Sequence, residues 1–370
     1  MPAGGGGVLR AVRWLRENLF AGPVNSLATL ALLYLAWQAI PPFIDWALFD
    51  AVWRAPDGRA CRHEAVGACW AFVADKHRFI LFGTYPYAEH WRPALAMLIL
   101  ITLWGVSLVR ACWKRWLAAV WAIGLAAIGV LMWGGVFGLP YVENERWGGL
   151  ALTLLLSTFG IVAAFPLAIL LALARRSRMP VIKALAVGYI ELVRGVPLIS
   201  LLFMASVMLP LFLPPGVTID KLLRAQIALI LFAAAYLAEV VRGGLQAVPR
   251  AQYEAADALG LDYAQSMRLV ILPQALRIAI PPLANSFIAF FKDTSLVLII
   301  GLFDLLSTVK VALSEPAWSG FGVEAYFFAA LVYFVFCAAM SRYAAHLERT
   351  LAHGQAHAAM REWASRALGH

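Results

Sequence analysis

The feature that most constrains this chain is a series of apolar stretches, each about 20 residues long, that recur along its 370 residues. A helical stretch of that length crosses the hydrocarbon layer of a bilayer with every backbone hydrogen bond made inside the segment. Hydropathy windows predict eight such spans, at 24–43, 93–111, 116–138, 148–174, 195–213, 222–241, 279–302 and 323–343. The predicted fold class is therefore all-α, a polytopic membrane protein.

The composition excludes a water-soluble fold. The chain is 62% hydrophobic and 14% charged, and its mean hydropathy is +0.77, whereas soluble domains carry about 25% charged residues. A net charge of +9 would suit nucleic acid only if it lay on a polar basic domain, and the sequence contains none. We therefore expect a lipid bilayer as the surroundings and no nucleic-acid partner.

Basic residues in the short loops predict the orientation, because such loops stay in the cytoplasm. In the eight-span arrangement most of them fall on one side of the membrane: Arg10, Arg13, Arg16, Arg110, Lys114, Arg115, Arg175, Arg176, Arg178, Arg242 and Arg250. Both termini are then cytoplasmic, and the loop 45–92 is external. Cys61 and Cys69 lie in that loop, where an oxidising compartment permits a disulfide, although two free thiols remain the alternative.

No enzyme motif accompanies these spans. The sequence has no H-E-x-x-H and no G-x-S-x-G, and no lysine follows a glycine as a phosphate-binding loop requires. We predict no catalytic residue, no metal site and no cofactor bound by this chain.

The loop 242–278 carries the most informative pattern. Pro249 suits a helix start and Gly260 suits a helix end, and between them Tyr253, Ala256 and Leu259 form one apolar stripe. A short amphipathic helix between two membrane spans has no bilayer in which to bury that stripe. We expect it to dock on a soluble partner.

The same loop resembles the signature of ABC importer permeases. Glu254-Ala255-Ala256, then Gly260, then Leu272-Pro273 follow that signature, although Val270 stands where Ile is usual and Ala251 where Gly is common. The resemblance implies that the loop forms a coupling helix seated on a cytoplasmic ATPase. The coupling residues would be Tyr253, Glu254, Ala255, Ala256, Leu259 and Gly260.

Three flanking segments narrow the resemblance to permeases that import polar amino acids. These are residues 189–198, residues 239–249 and residues 291–296, and together with the loop they cover about 150–345. The implied organisation is an extension at 1–147 with three spans and the external loop 45–92, a permease domain at 148–347 with five spans, and a cytoplasmic tail at 348–370. The long extension resembles the larger permease subunit of general L-amino-acid importers.

The resemblance implies a set of partners and a function. The chain would be the permease subunit of an ATP-driven importer of polar L-amino acids in the bacterial inner membrane. Its partners would be a cytoplasmic ABC ATPase dimer that binds the ATP, a second permease subunit in a heterodimer, and a periplasmic amino-acid-binding protein. Two alternatives are a membrane scaffold or sensor derived from a permease, and a secondary transporter driven by an ion gradient.

Polar residues inside the predicted spans need a reason, since a charge at the bilayer centre costs about 3 kcal/mol. Glu191 with Arg194, and Glu239 with Arg242, are spaced three apart and are predicted ion pairs at span ends. Such pairs would fix the structure at the point where a span leads into its loop. Alternatively, they would relay the motion of the ATPase.

A second polar group lies in the predicted span 279–302, which Pro281 and Pro282 are expected to break. Transporters place substrate at such broken helices, so Lys292 would attract the carboxylate of an amino acid and Asp293 its ammonium group. The alternative is a mutually neutralising structural pair. The candidate path residues are Asn285, Lys292, Asp293, Thr294 and Ser295.

Overall fold

A computed structural model describes residues 5–62 and 67–367, and within them the chain is helical with one two-residue strand. The strand is β1 (Phe303–Asp304). The helices are α1 (Gly5–Asn18), α2 (Pro23–Ile44), α3 (Trp70–Phe82), α4 (Trp91–Leu108), α5 (Trp116–Trp133), α6 (Gly149–Arg175), α7 (Pro180–Gly195), α8 (Leu198–Phe203), α9 (Lys221–Ala247), α10 (Arg250–Ala258), α11 (Tyr263–Gln265), α12 (Leu272–Asp293), α13 (Leu305–Leu313) and α14 (Gly322–Ala367).

Short 3-10 and π-helical segments extend or connect these helices. The π segments are Asp45–Phe49, Met204–Met208 and Ser266–Ile271. The 3-10 segments are Gly58–Cys61, Tyr87–Glu89, Arg110–Cys112, Asn144–Arg146, Leu209–Phe212, Thr294–Ile300 and Pro316–Trp318.

The described residues contain seven helices long and apolar enough to cross a membrane, or eight if one bent pair counts as a span. The all-α prediction is thereby confirmed. The seven are Pro23–Phe49, Tyr87–Leu108, Trp116–Trp133, Gly149–Arg175, Lys221–Ala247, Tyr263–Ile300 and Gly322–Thr350. The last helix continues without a break to Ala367, so the predicted tail at 348–370 is helical as far as the structure describes it.

The predicted fifth span, 195–213, is not one straight helix. Helix α7 ends at Gly195, and the chain turns by 103° before α8 and its π and 3-10 extensions. The turn falls at Val196-Pro197, because a residue before proline is pushed out of the helical region and proline has no N–H to continue the helix. Pro281 and Pro282 do not break α12, which runs continuously from Leu272 to Asp293. The geometry changes only at Thr294, where the 3-10 segment begins.

The core lies between α6, α9 and α12, and α6 packs along α9 more extensively than along any other described helix. Small residues allow this close packing, which is how membrane helices associate without a hydrophobic driving force between them. Ala164, Ala168 and Ala172 repeat every fourth position on α6 and are fully buried. Their counterparts on α9 include Ala234 and Ala238.

Contacts divide the chain into two compact units. The first comprises the chain up to Asp75 together with Glu315–Glu324, and the second comprises Lys76–Ser314 and the chain from Ala325 onward. This division differs from the predicted boundary at 147, because α4 and α5 cluster with the permease core. In the first unit a disulfide joins Cys61 to Cys69, with Cα atoms 5.8 Å apart. The backbone N–H of Cys69 donates to the buried carboxylate of Glu324 at 2.8 Å.

In the second unit, the C-terminal end of α3 packs tightly on the start of α6. Gly148 pairs with Phe303 through a backbone bridge, and a Cβ atom on Gly83 would overlap Gly148. The Thr308 hydroxyl on α13 donates to the carbonyl of Ile80 at 3.0 Å. Asp304 begins α13 by accepting from the Ser307 backbone N–H at 3.0 Å. Burial raises the pKa of the Asp304 carboxyl, while hydrogen bonds from Ser307 oppose that shift.

Adjacent glycines on α9 test the close packing of the core. A Cβ on Gly244 would overlap the carbonyl oxygen of Ala275 on α12, whereas at Gly243 it would meet no described heavy atom within 4 Å. We expect Gly244→Ala to lose about 1–3 kcal/mol of stability through overpacking, and Gly243→Ala to gain about 0.5–1 kcal/mol because alanine favours the helix. Thermal unfolding of the purified protein in detergent measures both. Equal shifts for the two variants would contradict the packing.

Candidate functional site

The predicted coupling loop contains a short, separate helix. Pro249 precedes α10, and after Ala258 the chain leaves the helix through Gly260, whose φ of +72° lies in the left-handed region that favours glycine. The N–H of Leu261 donates to the carbonyl of Ala256 at 3.2 Å, which closes the helix end. Asp262 then starts α11 with a reciprocal capping box to Gln265. Local sequence therefore sets both ends of α10.

The apolar stripe of α10 does not face outward as expected. Ala256 is only 1% exposed, and Tyr253 packs against the core cluster of the same chain. Leu259 alone of the three is exposed, at 78%. The predicted coupling residues that are exposed are Glu254, Ala255, Leu259 and Gly260. The expectation fails because the core of this chain, and not a partner, covers Tyr253 and Ala256.

Arg176, at the end of α6, attaches α10 to the membrane helices. Its guanidinium donates to the hydroxyl of Tyr253 at 2.9 Å and to the carbonyl of Leu245 at 3.1 Å. The Tyr253 hydroxyl donates in turn to the same carbonyl at 3.1 Å. A second link joins the side chains of Gln274 and Gln252 at 3.0 Å. A displacement of α10 would therefore pull directly on α6 and α9.

Next to this attachment, three guanidinium groups surround the carboxylate of Glu239. The N···O distances are 2.7 Å to Arg242, 3.1 Å to Arg175 and 3.6 Å to Arg194. Glu239 is 14% exposed, so water screens this cluster only partly. Because the three arginines belong to α6, α7 and α9, one acidic side chain connects three helices at one end of the core.

The predicted pairs are only partly realised. Glu239 does contact Arg242, but Glu191 and Arg194 do not contact each other. Glu191 contacts Arg175 at 2.8 Å, and Arg194 turns toward Glu239. The spacing rule considers one helix at a time, and here the nearest opposite charges lie on neighbouring helices. In the sequence, Arg175 and Arg176 are basic loop residues that indicate the orientation. No sequence pattern indicates which residues they pair with.

The substrate-path residues are divided between different faces of α12 and its 3-10 extension. Asn285 and Lys292 lie seven residues apart on one exposed face. Asp293 is half-buried and faces inward, and Thr294 is buried with its hydroxyl donating to the carbonyl of Phe291 at 2.8 Å. Ser295 is half-buried. The structure therefore does not bring Lys292 and Asp293 to one surface.

Asp293 lines a cavity of about 260 Å³ between α6, α9 and α12. The lining is apolar and aromatic apart from Asp293, Ser286 and the hydroxyl of Tyr236. The Arg194 guanidinium lies 5.5 Å from the ring centre of Tyr236. Such a cavity can hold a small organic group with its polar end at the carboxylate. Among the described residues, no three His, Cys, Asp or Glu side chains form a group that could hold a metal ion.

Comparison with known proteins identifies this architecture. Residues 164–353 match the family described as binding-protein-dependent transport system inner membrane component. The chain is 50% identical to the inner membrane amino-acid ABC transporter permease protein YhdY of Escherichia coli K12, over 92% of this chain and 93% of that protein.

Two further comparisons concern amino-acid transporters. The chain is 42% identical to the glutamate/glutamine/aspartate/asparagine transport system permease protein BztC of Rhodobacter capsulatus, over 92% of this chain and 94% of that protein. A solved amino acid ABC transporter described as containing histidines is 34% identical over 55% of this chain and 92% of its own, with a TM-score of 0.49.

The chain belongs to the family of inner membrane components of binding-protein-dependent transport systems. It is a multi-pass inner membrane permease of the ABC transporter class, a transport component and not an enzyme. The resemblance to amino-acid importer permeases, first indicated by the loop motif, is confirmed.

Two glutamates test the ion cluster. We expect Glu239→Gln to lower the stability by about 3 kcal/mol, because three guanidinium groups then face each other in a partly buried site. Glu191→Gln is the matched control: it removes the same charge, but Glu191 is 56% exposed and, among the described residues, forms an ion pair only with Arg175, so it should cost less than about 1 kcal/mol. Thermal unfolding in detergent compares them, and an equal loss would argue against the cluster.

Proposed function

We propose that the protein is the permease subunit of an ATP-driven importer that moves polar L-amino acids across the inner membrane by alternating access. The similarity to amino-acid ABC permeases over 92% of the chain carries this proposal. The attached helix α10 supports it, because an importer permease needs a rigid element through which an external motor moves its membrane helices. The subunit itself makes and breaks no covalent bond.

The proposed assembly contains three kinds of partner. A cytoplasmic ABC ATPase dimer binds and hydrolyses ATP, and a periplasmic binding protein delivers the amino acid. A second, similar permease completes the path as a heterodimer. The exposed face of Asn285 and Lys292 supports that arrangement, since an exposed charged face within a membrane helix needs a polar path or a protein partner beside it.

Both termini are proposed to be cytoplasmic, on the same side as α10. Support comes from the basic residues of the short loops, which cluster on that side. The disulfide between Cys61 and Cys69 supports the external placement of loop 45–92, since disulfides persist in the periplasm.

The surface of α10 and its Gly260 end is the proposed contact with the ATPase. A push on this surface passes through Tyr253 and Arg176 to α6, and through the following backbone to α12. Glu254, Ala255, Leu259 and Gly260 would contact the ATPase, while Tyr253 and Ala256 hold the helix from behind.

Gly260 provides a test of coupling with a matched control. We expect Gly260→Val to lower ATPase co-purification and uptake about ten-fold while membrane insertion persists, because a β-branched residue disfavours the positive φ. Gly216 also has a positive φ, +85°, and open space around it among the described residues, but it lies far along the chain from α10. Gly216→Val should leave co-purification intact. Wild-type co-purification and uptake with Gly260→Val would refute the coupling role.

The proposed substrate contact is the inward carboxylate of Asp293, which would receive the ammonium group of the amino acid in the cavity beside α9. Lys292, together with Asn285, would attract the carboxylate along the exposed face of α12. Thr294 and Ser295 add hydroxyls next to this point, although Thr294 already donates to the backbone. The two charges would act at different stages of passage because they face different ways.

Charge-neutral variants test the substrate contact. We expect Asp293→Asn and Lys292→Met each to lower the uptake of labelled amino acid about ten-fold in the complete importer, since an ion contact is worth about 1.5–3 kcal/mol. Lys310→Met on α13 is the control, because Lys310 is exposed outside the candidate spans. Unchanged uptake with either variant would refute that residue's contact.

A further inference from the structure

A second cavity lies between the extension and the permease core, and it shares the lining residues Ile161 and Phe287 with the cavity of Asp293. Its volume is about 320 Å³. It lies between α4, α5, α6, α12 and α14, and the residues that shape it most are Trp104, Trp121, Phe287, Phe336, Ala339 and Met340. Nothing in the proposed transport cycle uses this space.

The interior of this cavity is apolar. Its two α6 hydroxyls, on Ser157 and Thr158, already donate to the carbonyl of Leu154 at 3.1 and 2.7 Å. Water enters a cavity only where two or more polar groups can bind it. A polar amino acid would lose its hydration here without compensation. The chemistry therefore favours a hydrocarbon chain.

The cavity has an exposed side. Leu108 and Val162 line it and are both largely exposed. The opening lies where α4 ends, and Trp113 and Trp116 are exposed just beyond that end. Exposed tryptophans mark the level of the lipid headgroups. A lipid chain could therefore enter from one leaflet.

The edge of the opening is cationic. Lys114 and Arg115 lie in the loop between α4 and α5, and Arg342 precedes the cavity residue Tyr343 on α14. All three are exposed, and none forms an ion pair within the described part of the chain. The sequence has no acidic residue from 90 to 142 or from 325 to 347. These two segments therefore carry only positive charge, and the next acidic residue on α14 is Glu348.

We propose that this cavity binds one anionic glycerophospholipid, with an acyl chain between the aromatic side chains and the phosphate group at Lys114, Arg115 and Arg342. Basic residues beside a membrane helix attract anionic headgroups, and the apolar cavity receives the tail. The lipid joins the hairpin of α4 and α5 to the core helices α6, α12 and α14.

Lipid retention tests the proposal. The complete importer is purified from nanodiscs containing equal phosphatidylglycerol and phosphatidylethanolamine, and native mass spectrometry counts the retained lipids. We expect the wild type to retain phosphatidylglycerol preferentially. The triple variant Lys114→Gln, Arg115→Gln, Arg342→Gln should lower that retention about ten-fold, because each basic residue contributes separately to headgroup attraction. Ala339→Phe should lower it similarly by filling the tail cavity.

Matched controls separate this site from general lipid attraction. Arg10→Gln, Arg13→Gln, Arg16→Gln removes the same charge elsewhere, and Ala330→Phe adds the same ring to an exposed position of α14 that does not line the cavity. Both should retain the lipid. Equal retention in Ala339→Phe and Ala330→Phe would overturn the proposal. Equal retention of both lipids would overturn the headgroup contact. If the Ala339→Cys variant crosslinks to the second permease, the occupant is a protein and the proposal is overturned.

Discussion

The arrangement around Glu239 is the interaction on which one end of the permease core depends. One carboxylate neutralises guanidinium groups from α6, α7 and α9 in a place that water reaches only partly. Without it, three like charges would repel each other where the helices converge. The same end of α6 continues into Arg176, which holds α10. The ion cluster and the attachment of α10 therefore use adjacent residues at the end of α6, and a force on α10 reaches the cluster within one residue of backbone.

The core helices next to this cluster are held together by close packing. Alanine and glycine positions let α6, α9 and α12 approach closely, so van der Waals contact replaces the hydrophobic effect that is absent between helices in lipid. The α4–α5 hairpin belongs to the same compact unit, and the cavity at its junction with the core leaves space for a lipid chain. The core helices pack closely, and the cavity lies at their junction with the α4–α5 hairpin. Such an arrangement suits a protein whose helices move as rigid bodies between two states.

The sequence pattern identified the apolar face of α10 correctly, but it did not identify what covers that face. Periodicity identifies Tyr253 and Ala256 as the apolar face, and that face is buried as expected for apolar residues. It is buried, however, against this chain's own residues, because Arg176 donates to the Tyr253 hydroxyl and the carbonyl of Leu245 accepts from that hydroxyl. Leu259 is not buried, and Gly260 turns the chain out of the helix immediately after it. The surface that remains exposed on α10 is thus partly polar.

The sequence alone determined the all-helical membrane fold, most span positions, the ends of α10 and the permease family, because these depend on local composition, caps and short motifs. Only the tertiary structure decided which charges pair, since Glu191 and Arg194 find partners on other helices and not on their own. It also decided the bend after Gly195, the persistence of α12 through Pro281 and Pro282, and the separation of Lys292 from Asp293. Each of these outcomes depends on the residues that pack beside a helix. Sequence spacing describes positions along one helix and carries no information about the neighbouring helices.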